Sequence, residues 1–108
     1  MLTDMKYATG RYVRDEAGEP RLEPDLIAWA KVFHDPRRIV AQTDLGTIRV
    51  STVFLGLDHS FGFGGGEPVL WETMIFSGTQ NDYQERYTSR ADAVAGHARA
   101  VDLVMNDP

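Results

Sequence analysis

The chain has 108 residues, a formal net charge of −5, 43% hydrophobic and 25% charged residues, and no cysteine. That composition fits one domain spanning 1–108 with a modest core and argues against wholesale disorder. The missing cysteine excludes disulfides, thiolate zinc sites and a thiol nucleophile, and fits a reducing compartment. The stretch from Met1 to Lys6 lacks the apolar core of a signal peptide, and no apolar run is long enough to span a bilayer, so a cytoplasmic protein without a membrane partner is expected.

Residues 1–22 read as a polar lead-in with a short strand around Tyr12 and a turn at "DEAGEP", Asp15 to Pro20. "EPDLIAWAKVFHDP" follows as a helix. Pro24 suits its first turn, Asp25 meets its positive end, and Leu26, Trp29, Ala30 and Phe33 form an apolar stripe directed at the core. Pro36 stops it. Ile39 to Thr43 is rich in β-formers, Asp44-Leu45-Gly46 is turn chemistry, and Thr47 to Leu55 is a long strand. Ile48, Val50 and Thr52 share one face of that strand. Val69 to Ser77 and Tyr83 to Ser89 read as two further strands joined by a hairpin turn. Ser89-Arg-Ala-Asp92 has the form of a capping box, and Val94, His97, Ala98, Val101 and Val104 follow at helical spacing. Gly96 beside His97 weakens helix propensity, which predicts close packing against another element. His97 on an apolar stripe reads as a packed histidine bonded to a backbone carbonyl. The expected fold is α+β: a single antiparallel meander of four to five strands with two helices packed on one face.

The stretch "GLDHSFGFGGGEP" between two strands is the candidate site. Asp58 and His59 stand at its mouth, Phe61 and Phe63 are apolar anchors, and the glycines from Gly62 to Gly66 predict a mobile, partly exposed loop. The run lacks the Gly-Lys-Ser/Thr ending of a phosphate loop and leads into a strand. Glu72 alternates with Leu70, Met74 and Phe76, and Arg49 is its expected partner if their strands are adjacent. If instead the face of Leu70 is the outer one, Trp71, Thr73 and Ile75 point to the core. One histidine in the region is too few for a metal centre, so no metal and no cofactor are expected. Of eleven basic residues nine are arginines, dispersed along the chain, and direct nucleic-acid binding is not expected.

"VSTVFLGLDH" (50–59), "LWETMIFSG" (70–78) and "YTSRADAVAGH" (87–97) resemble a pattern found in short bacteriophage and prophage proteins of unassigned activity. The resemblance covers the C-terminal two thirds and implies a small protein made from a phage or prophage genome. Three functional readings follow. The first is an accessory protein that binds a host or phage protein, with inhibition of a host defence system as one such role. Its candidate contacts are Asp58, His59, Phe61, Phe63, Glu72 and Arg49. The second is a small enzyme or metal-dependent protein centred on Asp58, His59 and Glu72, although no catalytic constellation is evident. The third is a structural homo-oligomer. Convergence of Asp58, His59, Glu72 and Arg49 in one concave pocket favours the second; if they face different ways and an exposed aromatic patch appears, the others are favoured.

Overall fold

The computed structural model describes residues 10–60 and 66–108. Among the described residues, six strands and two α-helices form an α+β fold: a two-stranded hairpin, β1 (Tyr12–Arg14) and β2 (Pro20–Leu22); α1 (Leu26–Ala30); the strands β3 (Ile39–Leu45), β4 (Ile48–Phe54), β5 (Trp71–Phe76) and β6 (Gln84–Tyr87); and α2 (Arg90–Asn106). The last four strands pair antiparallel in chain order, β3-β4-β5-β6, as the expected meander. Within residues 10–22 the expected strand around Tyr12 is paired with a second one, Pro20–Leu22, beyond those expected from the sequence. The "DEAGEP" turn is closed by the Asp15 carboxylate, which accepts from the N–H groups of Ala17 and Glu19 (2.9 Å each).

Both helices start on acceptor caps. Asp25 accepts from the N–H groups of Ile27 (3.0 Å) and Ala28 (3.3 Å), and Ser89 accepts from Asp92 N–H (3.0 Å). The first helix is shorter than its stripe predicts. After Ala30 the chain tightens into 3-10 turns at Lys31–His34 and Pro36–Arg38. That tighter winding carries Phe33 off the α-helical stripe, leaving it 43% exposed; Leu26, in the first turn of the helix, is 56% exposed. Val32 packs on the core instead.

The core lies between α2 and the inner face of the meander, in two apolar clusters. Ile48, Val50 and Ile75 pack with Ala100 and Val104; Phe54, Leu70, Trp71 and Tyr87 pack with Ala93. Trp71 is thus a core residue, edge-on to Phe54 at 5.4 Å between centroids. A polar seam separates the clusters. Thr43, Thr52, Thr73 and Tyr87, one from each strand, join His97 of α2 in a single hydrogen-bonded row. His97 therefore bonds side-chain hydroxyls, where a backbone carbonyl is the expected partner.

The hairpin and α1 meet the meander at Gly56. Its carbonyl accepts from Tyr12 N–H (2.8 Å) and from the Trp29 indole N–H (2.6 Å). Its φ of +74° favours glycine, and a Cβ there would stand 3.3 Å from the Tyr12 carbonyl oxygen. Among the described residues no helix is long and apolar enough to cross a membrane.

Candidate functional site

Asp58 is held by the loop it opens. Its carboxylate accepts from Ser60 N–H (2.8 Å), the Ser60 hydroxyl (3.0 Å) and Val69 N–H (2.9 Å). Burial pushes this carboxyl up, but the N–H donors of Ser60 and Val69 outweigh it and hold the group below the usual carboxylate range. Backbone bonds close the same mouth: Leu55 N–H to Leu70 O (2.6 Å), His59 N–H to Val69 O (2.9 Å) and Asp58 N–H to Gly10 O (2.8 Å). The His59 ring lies 2.7 Å from the Leu57 carbonyl through Nδ1; a carbonyl only accepts, so Nδ1 carries the proton. The pair clamps the two ends of the loop together. Phe61 and Phe63, and the expectation of a mobile loop, fall on residues 61–65, outside the described residues.

Glu72 sits on the outer face of β5, while Trp71, Thr73 and Ile75 point inward, fully buried or nearly so. Arg49 is not its partner. The strands are adjacent, but the register sets Arg49 opposite Phe76 and Glu72 opposite Val53. Four residues along a strand is about 13 Å, beyond the reach of an ion pair. Glu72 instead accepts from Gln84 Nε2 (2.8 Å) and Arg86 Nε (2.9 Å) of β6, and is 8% exposed. Arg49 pairs with Asp44 of β3 through Nε (2.7 Å) and Nη2 (3.2 Å), at the surface. That pair holds the Asp44 carboxyl below its ordinary range.

The proposed contacts thus divide among separate partner sets. Asp58 and His59 serve the loop mouth, Glu72 joins Gln84 and Arg86, and Arg49 joins Asp44. Among the described residues no three His, Asp or Glu side chains converge as a metal ion requires.

Two features escaped the sequence. The first is the seam. Its signal was a threonine at a core-facing position of β4 and of β5, each between larger apolar residues, opposite a histidine flanked by Ala93 and Ala100. The second is a cleft of about 470 Å³ between the hairpin and α1. Val13, Ala28 and Val32 line it together with Arg14, Arg21, Lys31, Arg37 and four acids. Three of those acids serve their own chain neighbourhood: Asp15 closes the hairpin turn, Glu23 pairs with Arg21 at 3.3 Å, and Asp35 pairs with Arg37 at 2.7 Å. Arg37 holds the Asp35 carboxyl down at about 2. No family model matches the chain, and neither curated proteins nor solved structures yield a match.

Proposed function

We propose that the protein is a small phage-type accessory protein that acts by binding a host or phage protein. The observation that carries this reading is the apolar exposure of the segment 22–39. Leu22, Leu26, Ile27, Phe33 and Ile39 are exposed there, five of the nine large apolar side chains exposed among the described residues. Ile27 stands furthest out, at 72%. Arginines stack beside them: Arg11 over Trp29 and Arg38 over Phe33, each 6.0 Å from the ring centroid. Aromatic and arginine anchors with apolar neighbours are the residue types that dominate binding energy at protein interfaces.

Segment 11–38 holds six basic and six acidic residues, so its attraction is apolar contact rather than net charge. That suits a protein surface better than a phosphate backbone. The resemblance to phage and prophage proteins supplies the context of a host or phage partner, with the blocking of a host defence protein as the proposed role. The test is affinity capture from bacterial lysate with tagged wild type, Ile27→Glu and Phe76→Glu. Wild type and Phe76→Glu retain the same partner; Ile27→Glu loses it by about tenfold or more, the effect of one anchor worth about 1.4 kcal/mol. Equal retention by all three overturns the reading.

A further inference from the structure

We propose that the seam is a one-proton latch: it holds α2 on the sheet while His97 is neutral with its proton on Nε2, and uptake of a proton at Nδ1 releases the helix. The argument starts from hydrogen-bond direction. The Tyr87 hydroxyl donates to Thr73 Oγ1 (2.9 Å). The assignment that gives every hydroxyl an acceptor within the row sends the Thr73 proton to Thr52 Oγ1 (2.5 Å) and the Thr52 proton to His97 Nδ1 (2.7 Å). Nδ1 is thereby the acceptor, so Nε2 bears the hydrogen and donates to Thr43 Oγ1 (2.9 Å). Every member of the row gives one hydrogen bond and accepts one, except its two ends.

An imidazolium breaks this order, because it has two donors and no acceptor. A proton on Nδ1 turns the Thr52 hydroxyl back toward Thr73, which already accepts from Tyr87. The Thr73 proton then has an acceptor only if the Tyr87 hydroxyl gives up its bond to Thr73 and turns toward Glu85, in a place where Thr52 and Thr73 are wholly buried and Tyr87 is 6% exposed. A half-satisfied buried network is worse than none.

Among the described residues no charged side chain bonds the His97 ring. From β3 the group facing it is Thr43; Asp44 is on the opposite face, bound to Arg49. From β4 and β5 the facing groups are Thr52 and Thr73, while Glu72 lies on the far face with Arg86. From β6 come Tyr87, Tyr83 and Glu85, and the Glu85 carboxylate is held by Arg99 (2.6 Å) and by the Tyr83 hydroxyl (3.2 Å), and lies beside the Tyr87 hydroxyl, whose proton it also attracts. On α2 itself Arg90, Asp92, Arg99 and Asp102 are exposed. Burial accordingly makes His97 harder to protonate than an ordinary histidine. The sign follows. Below the ordinary histidine value of about 6.5 the unfolded chain takes up a proton that the native one refuses, so stability is whole above that pH and falls as pH drops below it. The fall is about tenfold in the folded-to-unfolded ratio per pH unit, until the native imidazole also titrates.

The test measures melting temperature and α2 amide exchange, corrected for intrinsic rate, from pH 7.5 to 5.0. It compares wild type, His97→Gln, and the double variant His34→Gln/His59→Gln. Nitrogen-15 spectra of the imidazole report the tautomer. Wild type and the double variant are expected to lose stability and α2 protection below about pH 6.5, with the proton on Nε2 at neutral pH. His97→Gln is expected to be flat across that range. Should His97→Gln fail to fold, wild type against the double variant still decides, because the loss must persist when only His97 remains. A proton on Nδ1, a loss shared equally by His97→Gln, or a loss abolished in the double variant overturns the latch. Titration of His97 with α2 protection unchanged overturns it too.

Discussion

A Cβ at Gly96 would stand 2.1 Å from the Tyr87 hydroxyl oxygen and 2.3 Å from its Cζ. The residue is buried, and the phenol it faces is itself held by Thr73, so the ring has no free direction in which to yield. The expectation of close packing at this glycine is met by one contact, between α2 and β6. Alanine favours a helix by about 1 kcal/mol over glycine. Overpacking costs about 1–3 kcal/mol, and displacing the Tyr87–Thr73 bond costs about 1 kcal/mol more. Gly96→Ala is therefore expected to destabilise the protein by about 1–3 kcal/mol in urea melts, against its helix propensity. A gain of stability would show that α2 does not approach β6 this closely. The same tyrosine marks the alkaline side of the seam: burial pushes its hydroxyl up to about 12.

At the scale of elements, β4 and α1 lie at opposite ends of a range of burial. Strand β4 buries Ile48, Val50, Thr52 and Phe54 in strict alternation, whereas α1 buries none of its residues. Phe54→Ala is expected to cost about 3–5 kcal/mol, and Phe33→Ala about 1 kcal/mol or less, by chemical denaturation. Similar losses for the two would place Phe33 in the core. The four strands of the meander and α2 were legible because their signals are local, namely alternation, turn residues and a serine cap, whereas the three-residue β2 was too short to carry such a signal. The depth of α1 was not, because Leu26, Trp29, Ala30 and Phe33 satisfy the helical period whether or not a sheet lies beneath them. The hydrogen bond that docks it reaches the carbonyl of Gly56, twenty-seven residues from Trp29, a pairing no local pattern announces. Glu72 shows the same limit. Alternation separated its face from that of Trp71, but only the pairing register decides between Arg49 and Arg86 as partner. The threonines of the seam were readable singly, and their union with His97 across four strands was not.

Over the whole molecule, charge and apolar exposure are distributed unevenly. Residues 39–108 carry nine acidic and four basic residues, while 11–38 is balanced. The acidic two thirds contain the meander, α2 and the seam, which together set stability. The balanced segment contains the hairpin and α1, with four of the nine exposed large apolar side chains of the described residues, and Ile39 follows at its end. Under the proposed function, recognition belongs to the hairpin and α1 and scaffold work to the rest, with Asp58 and His59 holding the loop mouth. The most direct measurement is site-specific photocrosslinking in bacterial lysate, with a photoreactive residue placed at Ile27, at His59 or at Phe76. Phe76 is 45% exposed on the outer face of the sheet and serves as the comparison. The account predicts a discrete crosslinked protein from position 27 and none from positions 59 and 76. A discrete product from position 59 or 76, with none from position 27, would contradict it.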